Sequence, residues 1–400
     1  MKQKNLSLVI LAGGKGSRLK DVIGNYQKCI VKVNNRPFLN YLLNKFSKYN
    51  FDKIYILAGK GSSKVFSLYH NKIFNFIKVI CVKEKIAMGT GGSLYKLKNK
   101  LKNFILMNGD SILDLDIKKF IPKDQNVICK MSLVHNKNYI SNNKLSNLNL
   151  INKKVVINKT KKKFMNGGIY FFNKKIFKFI KNKKLSLEEE ILPNLIKKKK
   201  ITGEVFNKNF FFDIGTKNNF FKSSSVLKEN LTKPAFFLDR DGVINHDYGY
   251  VSKFSNFKFR EGVIKGLKYL IKKNYYIFIV TNQAGIAKKK FTIDEFKLLH
   301  LQLKKFLSKK NIFFDSVKFC LHHEDALVSK YKKKCFFRKP HNGMINSIFK
   351  EWHINRKKSF FIGDKITDKL CAKKSKIKFF YAKNNFYYQV KRIHNMYNSK

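Results

Sequence analysis

The sequence predicts two α/β domains in one chain, each built on a largely parallel sheet. Three observations lead to this prediction. The chain has 400 residues, more than one ordinary domain core accommodates. Short apolar runs alternate with amphipathic stretches in both halves, which is the pattern of strands separated by helices. A polar stretch that ends in Pro234 interrupts this alternation near residue 230.

The predicted strands form two groups of four. The first group covers 6–11, 53–58, 77–82 and 104–107, and the second covers 235–238, 275–280, 316–320 and 359–362. The serines at 223–225 and the proline at 234 mark the break between the groups. We therefore predict a first domain over residues 1–225, a linker over 226–234 and a second domain over 235–400.

The composition excludes some classes of protein. Hydrophobic residues make up 44% of the chain, with 39 Phe and 18 Tyr, which suffices for two cores and argues against disorder. The formal net charge is +60, and lysines spread along the whole chain carry nearly all of it. We interpret this charge mainly as the drift of an AT-rich genome. Binding of a polyanion and attraction of phosphorylated substrates are the alternatives.

Cysteine usage and the first residues bear on the compartment. Six cysteines are scattered over the chain, unlike a secreted disulfide framework. The basic start and the apolar run 6–12 imitate a signal peptide, but the run is short and continues into glycines without a cleavage site, so we expect a first strand. No apolar run approaches the roughly 20 residues of a membrane span. These features favour a reduced, cytoplasmic protein without a membrane partner.

A glycine-rich turn follows the first predicted strand. Its residues are Gly13, Gly14, Lys15, Gly16, Ser17 and Arg18. Glycines permit close approach of the backbone to a phosphate, and the N-terminus of a following helix favours anions. The turn lacks the spacing of a P-loop, so it indicates a phosphate site of another kind.

Four polar motifs in the second half each follow a predicted strand. They are Asp239-Arg240-Asp241-Gly242, Thr281-Asn282-Gln283, Arg338-Lys339-Pro340, and Gly363-Asp364 with Asp368 four residues later. The carboxyl ends of parallel strands meet at one sheet edge, where α/β proteins bind ligands. Aspartates, a hydroxyl and a lysine at one edge suit phosphoryl transfer: one carboxylate attacks phosphorus, another transfers protons, and others hold Mg²⁺. A loop whose aspartates only cap a turn is the alternative.

The order of these motifs resembles the haloacid dehalogenase superfamily. The details, including Gly249-Tyr250-Val251 and Arg338-Lys339-Pro340, resemble the D-glycero-D-manno-heptose 1,7-bisphosphate phosphatases and their relatives, the histidinol phosphatases, over roughly residues 235–380. The resemblance implies a Rossmann-like fold without a cap domain, because only about forty residues separate the first motif from the second.

This resemblance also implies roles for individual residues. Asp239 is expected to be the nucleophile and Asp241 the general acid and base. Mg²⁺ is expected at Asp239, Asp364 and the backbone carbonyl of Asp241. The phosphoryl group is expected at Thr281, Asn282 and Lys339, with Arg338 on the second phosphate of the substrate.

The same phosphatases often carry a zinc loop of the form Cys-x-His-His…Cys-x-Cys before Arg-Lys-Pro. This chain offers Cys320, His322 and Cys335, but Phe337 stands where the last cysteine would be. Structural zinc sites use four ligands. A Zn²⁺ site completed by His323, Glu324 or water, and a metal-free loop, are therefore both open.

Further motifs follow the glycine-rich turn in the first half. They are Lys28, Glu84, Met88-Gly89-Thr90-Gly91-Gly92, Met107-Asn108-Gly109-Asp110, Asn166-Gly167-Gly168-Ile169-Tyr170 and Phe212-Asp213-Ile214-Gly215-Thr216. Together with the turn they resemble the sugar-1-phosphate nucleotidyltransferases over roughly residues 5–222, in particular the heptose 1-phosphate guanylyltransferase type. This family also has a Rossmann-like fold.

The second resemblance again implies roles. The triphosphate is expected to bind at Gly13, Gly14, Gly16, Ser17 and the catalytic Arg18, and the reacting phosphates at the catalytic Lys28. The nucleotide is expected to bind at Gly89 and Thr90, and the sugar phosphate at Asn166 and Gly167. Asp110 and Asp213 are expected to bind Mg²⁺. Two positions depart from the family. Gln27 replaces a proline, and a Glu-Lys pair before Asn166 has only Asn158-Lys159 as its nearest counterpart.

The two resemblances imply consecutive reactions. A phosphatase would remove the 7-phosphate of heptose 1,7-bisphosphate, and a nucleotidyltransferase would couple the heptose 1-phosphate to a nucleotide, with GTP preferred. The product would serve a surface polysaccharide such as lipopolysaccharide, and the partners would be sugar phosphates and a nucleoside triphosphate. One alternative is a mannose-type transferase fused to a histidinol phosphatase. Another is a nucleic-acid end-processing phosphatase. The sequence shows neither a P-loop nor a basic stripe, which argues against this alternative.

Overall fold

The computed structural model describes residues 6–14, 16, 19–24, 26–59, 61–135, 145–158 and 163–398. The chain divides into two compact units, one of Met1–Leu43 with Phe51–Val226 and one of Asn44–Asn50 with Leu227–Lys400. No described helix is both long enough and apolar enough to cross a membrane.

The strands, in chain order, are β1 (Leu6–Leu11), β2 (Lys32–Val33), β3 (Arg36–Pro37), β4 (Ile54–Gly59), β5 (Ile73–Phe74), β6 (Ile77–Lys83), β7 (Asn103–Asn108), β8 (Ser111–Leu113), β9 (Cys129–His135), β10 (Leu148–Ile151), β11 (Lys154–Ile157), β12 (Phe164–Asn173), β13 (Ile201–Val205), β14 (Phe211–Asp213), β15 (Ala235–Leu238), β16 (Tyr276–Asn282), β17 (Ser316–Cys320), β18 (Phe360–Gly363) and β19 (Lys378–Tyr381). All eight strands predicted from the sequence are present, with ends that agree to within two residues.

The α-helices are α1 (Lys20–Ile23), α2 (Phe38–Phe46), α3 (Ser63–Tyr69), α4 (Gly89–Tyr95), α5 (Ile117–Phe120), α6 (Leu192–Lys197), α7 (Lys217–Leu231), α8 (Val263–Lys272), α9 (Ala284–Ala287), α10 (Ile293–Lys309), α11 (Gly343–Glu351), α12 (Ile366–Lys374) and α13 (Phe386–Asn398). Strands and helices alternate around both main sheets, which confirms the predicted α/β class.

The first unit contains a ten-stranded sheet in the order β10-β11-β13-β9-β12-β7-β1-β4-β6-β5. Around β1 the pairing is parallel, to β4 on one side and to β7 on the other. Beyond β7 the sheet is mixed, because β12 runs antiparallel to both β7 and β9. The expectation of a largely parallel sheet is therefore correct around β1, where the predicted strands lie, whereas beyond β7 only the pair of β9 and β13 is parallel among the described strands.

The second unit contains a five-stranded sheet in the order β17-β16-β15-β18-β19, and every pair in it is parallel. Alternate residues of its central strand β15 pack into different cores: Phe236 and Leu238 lie on one face, and Ala235 and Phe237 lie on the other. A strand buried on both faces needs a continuous apolar run, which explains the sequence of β15. Its carboxyl end consequently lies in the middle of the sheet edge.

Most of the predicted linker lies in a helix. Helix α7 extends over Lys217–Leu231 and contains the serines that suggested a break. The hydroxyls of Ser223 and Ser225 donate hydrogen bonds to the carbonyls of Phe220 and Lys222, so these polar side chains are accommodated on the helix. Up to Leu231 the polar stretch is therefore helical, although its apolar residues lack the regular spacing that predicts a helix. The domain limits drawn from the sequence stay a prediction.

Candidate active sites

The nucleophile expected in the second unit lies at the end of the central strand. Asp239 directly follows β15, and its backbone N–H donates to the carbonyl of Ile362 in β18 at 3.1 Å. The Asp239 side chain is only 10% exposed. The sheet therefore presents this carboxylate at a narrow opening in the middle of its edge.

A buried lysine neutralises part of the charge at this edge. Lys339 Nζ lies 2.8 Å from Asp239 Oδ2 and 2.6 Å from Asp368 Oδ1, and it donates to the carbonyl of Val280 at 2.9 Å. Burial alone would lower the pKa of Lys339, but the charges of the two aspartates outweigh it and raise the pKa above its usual range. Lys339 is therefore a permanent ammonium beside the expected nucleophile, Asp239.

The Asp239 carboxyl group ionises less readily than an ordinary aspartate. Burial raises the pKa of Asp239 to about 7, with Lys339 opposing the rise and Asp368 adding to it. Near neutral pH the carboxyl group is therefore only partly ionised. A divalent cation next to Asp239 would favour the ionised form, which is the nucleophilic one.

The surroundings of Asp239 have the donor set of a hard cation. Carboxylate oxygens of Asp239, Asp364 and Asp368 lie within 4.8 Å of one another. Asp364 Oδ1 is buried and has no hydrogen-bond partner within the described part of the chain. Burial, followed by the charge of Asp368, raises the pKa of Asp364. Mg²⁺ prefers oxygen ligands of this kind, so the residues present fit it.

Two neighbouring features keep Asp364 in place. Gly242 has a φ of 78°, and a Cβ there would lie 2.3 Å from Asp364 Oδ2, so only glycine leaves room for this carboxylate. Asp368 Oδ2 accepts the backbone N–H groups of Asp364 and Lys365, both at 3.1 Å. Asp368 was not among the predicted metal ligands; it holds the loop that carries one of them.

Asp241 is held by three side chains. Arg240 forms a bidentate ion pair with it, with Nη2 2.8 Å from Oδ2. Asn245 Nδ2 donates to Asp241 Oδ1 at 2.9 Å, and Gln283 Nε2 donates to Asp241 Oδ2 at 3.0 Å. Gln283 Nε2 also lies 2.8 Å from Thr281 Oγ1, so it joins the expected acid and the expected phosphate ligand. Gln283 was not among the residues predicted for the site, although it belongs to the Thr281-Asn282-Gln283 motif.

The structure shows Asn282 in contact with the backbone of Lys339. Its Oδ1 accepts the Lys339 N–H and its Nδ2 donates to the Lys339 carbonyl, both at 3.0 Å. This amide therefore positions the lysine that faces Asp239. A direct contact of Asn282 with a phosphate stays a prediction.

Arg338 is tied to a loop that contains two cysteines. Its Nη1 donates to the carbonyl of His322 at 3.2 Å, and its backbone N–H donates to the carbonyl of Cys335 at 2.9 Å. His322 Nδ1 lies 3.1 Å from Cys335 Sγ and 3.7 Å from Cys320 Sγ. The ligand atoms of all three lie within 4.8 Å of one another, and all six cysteines of the chain are free thiols. These residues fit a soft or borderline cation such as Zn²⁺.

The first unit contains a cavity of about 580 Å³ at the carboxyl end of β1. The predicted site residues that line it are Gly13, Gly14, Gly16, Lys28, Gly89, Thr90, Asp110, Asn166 and Asp213. Ser17 and Arg18, predicted for the triphosphate, lie outside the described residues. Residues from distant parts of the sequence thus meet in one pocket large enough for a nucleotide.

Close backbone approaches explain several glycines around this cavity. A Cβ on Gly109 would lie 2.5 Å from the carbonyl oxygen of Leu11, so the turn before Asp110 can reach the end of β1 only with glycine. Gly16 has a φ of 65°, and a Cβ there would lie 2.9 Å from Cγ of Lys28. Glycine at position 16 therefore leaves room for the Lys28 side chain.

Three charged groups face the same pocket. Lys28 Nζ lies 3.6 Å from Asp110 Oδ2. Asp213 ends β14, which pairs antiparallel with β8, and its Oδ1 accepts the N–H of Gly215 at 2.6 Å. Two carboxylates and an ammonium at one cavity suit a divalent cation together with phosphate oxygens, so the residues present fit Mg²⁺ here too.

Thr90 and Glu188 form a contact that the sequence analysis missed. Thr90 Oγ1 donates to Glu188 Oε2 at 2.9 Å and accepts the N–H of Leu187 at 2.8 Å. Burial raises the pKa of Glu188, which also lines the cavity. The run Glu188-Glu189-Glu190 could have signalled this role, because the chain has only 25 acidic residues.

The Asn-Gly-Gly motif lies on a bulge of the sheet. The register between β12 and β9 shifts between Asn166 and Tyr170, where Asn166 Oδ1 accepts the N–H of Gly168 at 2.9 Å. Asn166 lines the cavity, whereas a Cβ on Gly167 would lie 2.8 Å from Ser132 Oγ. Gly167 therefore makes room for the neighbouring strand, and its predicted contact with substrate stays a prediction.

Models of two known protein families match different parts of the chain. The model of the nucleotidyl transferase family, described as "Nucleotidyl transferase", matches residues 7–144 and 147–230. A second model, described as "Polynucleotide kinase 3 phosphatase", matches residues 235–392.

Similar proteins are found for both parts. The D-glycero-beta-D-manno-heptose-1,7-bisphosphate 7-phosphatase of Escherichia coli (strain K12) is 40% identical over 139 residues, which are 35% of this chain and 73% of that protein. Its counterpart in Photorhabdus laumondii is 42% identical over 144 residues, 36% of this chain and 77% of that protein. Among solved structures, HddC from Yersinia pseudotuberculosis superposes with a TM-score of 0.47 at 26% identity, covering 55% of this chain and 98% of that one.

Proposed function

Because the chain belongs to the nucleotidyl transferase family in its N-terminal part and to the D-glycero-beta-D-manno-heptose-1,7-bisphosphate 7-phosphatase family in its C-terminal part, we propose that it carries out two consecutive steps of nucleotide-heptose biosynthesis. One observation carries this proposal: a single chain holds two assembled sites for different phosphorus chemistry. Removal of the 7-phosphate from a 1,7-bisphosphate leaves a 1-phosphate, and a sugar 1-phosphate is the acceptor that a sugar nucleotidyltransferase uses.

In the phosphatase step, Asp239 attacks the phosphorus of the 7-phosphate and the bond to the sugar oxygen breaks. Asp241 gives its proton to that oxygen, so heptose 1-phosphate leaves and an aspartyl-phosphate remains. Asp241 then takes a proton from water, whose oxygen attacks the phosphorus and releases phosphate and the Asp239 carboxylate. Lys339, 2.8 Å from the nucleophile, balances the charge on the phosphoryl oxygens. Mg²⁺, held by Asp239 and Asp364, would supply further charge neutralisation.

In the transferase step, a phosphate oxygen of heptose 1-phosphate attacks the α-phosphorus of the nucleoside triphosphate and pyrophosphate leaves. The glycine-rich turn would hold the triphosphate with its backbone N–H groups, and Lys28 would balance the charge on the reacting phosphates. Asp110 and Asp213 would hold Mg²⁺, which would supply charge neutralisation for the phosphate groups of the two substrates. We propose GTP as the preferred nucleotide and a surface polysaccharide as the destination of the product.

Two further features belong to this proposal. Cys320, His322 and Cys335 would bind Zn²⁺, since two thiols and an imidazole already face one another. The reactions would take place in the cytoplasm, where nucleoside triphosphates are available and free thiols persist.

The test supplies the full-length protein with heptose 1,7-bisphosphate, Mg²⁺ and each of the four nucleoside triphosphates in separate reactions. Phosphate release and the mass of any nucleotide sugar are followed together. We expect one phosphate released per sugar and GDP-heptose as the main product. Phosphate release without a nucleotide sugar from any triphosphate would refute the transferase proposal and leave the phosphatase standing.

A second candidate follows from the name of the phosphatase family model, which suggests a 3′-phosphate of a nucleic acid as substrate. The charge of +60 is compatible with it. The identity of 40% to a heptose bisphosphatase favours the sugar instead. An oligonucleotide with a 3′-phosphate, added to the same assay, separates the two, and we expect its dephosphorylation to be slower than that of the sugar by a factor of about 100 or more.

A further inference from the structure

The cysteine loop of the second unit brings together three metal ligands. Cys320 ends β17, His322 follows two residues later, and Cys335 returns from the loop that precedes Arg338. Cys320 is buried, and His322 and Cys335 are half-buried. Two sulfur atoms and one imidazole nitrogen lie within 4.8 Å of one another and could supply three of the four ligands that a tetrahedral zinc site uses.

Within the described part of the chain, no fourth ligand joins this cluster. Among the described residues, no further His, Cys, Asp or Glu brings a ligand atom within the same 4.8 Å. His323 Nδ1 accepts the backbone N–H of Asp325 at 3.0 Å, so this nitrogen is engaged elsewhere, and Glu324 is exposed. Phe337 is 46% exposed and offers no donor atom.

We infer that the loop binds one Zn²⁺ through Cys320, His322 and Cys335 and leaves its fourth coordination position to water or to an added ligand. Binding displaces the two thiol protons to solvent, and the imidazole binds in its neutral form. Such a site is open, whereas a structural zinc site is closed by four protein ligands. The metal is consequently held more weakly and exchanges more readily than in a closed site.

The open site has a defined structural task. The carbonyl of His322 accepts Arg338 Nη1, and the carbonyl of Cys335 accepts the Arg338 backbone N–H. A metal bound to the side chains of His322 and Cys335 fixes the backbone carbonyls of these two residues. Through these carbonyls it also fixes Arg338 and the adjacent Lys339. Arg338 is thus a residue positioned by the loop, and loss of the metal is expected to affect substrate binding before it affects the chemical step.

Cobalt substitution tests this inference, which rests on the proposed zinc binding. The full-length protein, reduced and freed of metal, is titrated with Co²⁺ in excess Mg²⁺, and the thiolate-to-cobalt absorption and the d–d bands are recorded. Added imidazole is expected to shift the d–d bands, because it can enter an open position. Competition with a chromogenic chelator measures the Zn²⁺ affinity.

Two variants make the test specific. Phe337→Cys is expected to close the site: the Zn²⁺ affinity rises at least about tenfold, the thiolate absorption increases, and the response to imidazole disappears. His323→Ala is the matched control and is expected to leave the spectrum and the affinity unchanged. A changed His323→Ala spectrum would mean that His323 is a ligand and would overturn the open site.

The remaining outcomes separate this inference from the zinc proposal on which it rests. Absence of thiolate-to-cobalt absorption would refute zinc binding altogether. Strong absorption that imidazole does not shift, together with unchanged affinity in Phe337→Cys, would show a site already closed and would refute only the open position. The far-ultraviolet spectrum of each variant confirms that it is folded.

Discussion

The two candidate active sites are organised in opposite ways. In the second unit the charged residues contact one another directly: Lys339 bridges Asp239 and Asp368, and Arg240 holds Asp241 in a bidentate pair. In the first unit the charged residues line a cavity of about 580 Å³, where Lys28 lies 3.6 Å from Asp110. The charged residues of the second unit are in close contact before substrate arrives, whereas the described charged residues of the first unit form a longer ion pair beside an open cavity.

This difference follows the chemistry that each site would perform. A phosphatase forms a bond to its own side chain, so nucleophile, acid and counter-charge must be positioned within the protein. A nucleotidyltransferase joins two anionic substrates and a metal, which complete the charge balance when they bind. We therefore expect substitutions in the second unit to disturb folding and activity together, and substitutions in the first unit to act mainly on substrate affinity and rate.

The largest effects are expected from removing one carboxylate in each site. Asp239→Asn should lower phosphate release by a factor of about 10⁴ or more, because the nucleophile is lost, and leave nucleotidyl transfer intact. Asp110→Ala should do the reverse, by a factor of about 10²–10⁴, because a metal ligand is lost. Both reactions are measured on each variant, with heptose 1-phosphate supplied for the transfer. Loss of both activities in either variant would contradict two independent sites.

The next largest effect is expected from the buried lysine. Lys339→Met leaves Asp239 and Asp368 without their counter-charge, so the second unit should lose about 3–5 kcal/mol of unfolding free energy and phosphate release should fall about 10³-fold. Urea unfolding and phosphate release measure the two effects. Lys334→Met, on an exposed lysine of the same loop, is the control and should change neither. A Lys339→Met protein of unchanged stability would refute the bridging role.

Two glycines test the packing beside the expected Mg²⁺ ligand Asp364. Gly242 and Gly249 both have positive φ, 78° and 75°, but only Gly242 has Asp364 within reach of a Cβ. Gly242→Ala should weaken Mg²⁺ activation of phosphate release by about tenfold to hundredfold, whereas Gly249→Ala carries the backbone strain alone and should leave it nearly unchanged. Equal losses in both variants would assign the effect to strain and not to Asp364.

The raised pKa of Asp239 predicts a proton linked to Mg²⁺ binding. With a pKa of about 7, Asp239 is mostly protonated at pH 6 and mostly ionised at pH 8.5. Mg²⁺ requires the carboxylate, so binding should release about one proton at pH 6 and close to none at pH 8.5, and affinity should fall as pH drops below 7. Calorimetry in two buffers of different ionisation enthalpy measures this. Asp239→Asn should abolish the difference; proton release that persists in this variant would assign it to another group.

The smallest effect is expected at the cavity of the first unit. Thr90→Val removes the hydrogen bonds to Glu188 and Leu187, and the KM for a substrate of the transfer should rise by about threefold to tenfold without a change in phosphate release. Thr90→Ser keeps the hydroxyl and should behave like the unaltered protein. Steady-state transfer kinetics measure both variants; a Thr90→Ser variant as impaired as Thr90→Val would show that the effect does not come from the loss of these hydrogen bonds.

The sequence predicted the second unit better than the first, for a physical reason. The strands β15, β16 and β18 are short, buried on both faces and followed at once by a polar motif, so their ends could be placed at one sheet edge. In the first unit β12 is just as buried but runs antiparallel, and apolar periodicity carries no sign of strand direction.

Side-chain contacts between distant residues were the least predictable part. Gln283 lies in a recognised motif, yet its hydrogen bonds to Asp241 and Thr281 depend on the rotamer that the fold imposes. The contact between Thr90 and Glu188 spans nearly one hundred residues of sequence. Helix α7 was missed over its serines because their hydroxyls can bond to the preceding turn, which composition alone does not reveal.

The ammonium of Lys339 has a mechanical consequence beyond its charge. Its three contacts belong to different elements: Asp239 directly after β15, Val280 in β16, and Asp368 in the first turn of α12. One side chain thus connects three segments at the carboxyl edge of the sheet. Loops that carry catalytic residues are usually among the first parts of a protein to unfold locally. We expect the backbone amides of Asp239 and Asp364 to exchange with deuterium as slowly as those of the sheet interior, so that in this protein the reactive edge is among its most slowly opening parts.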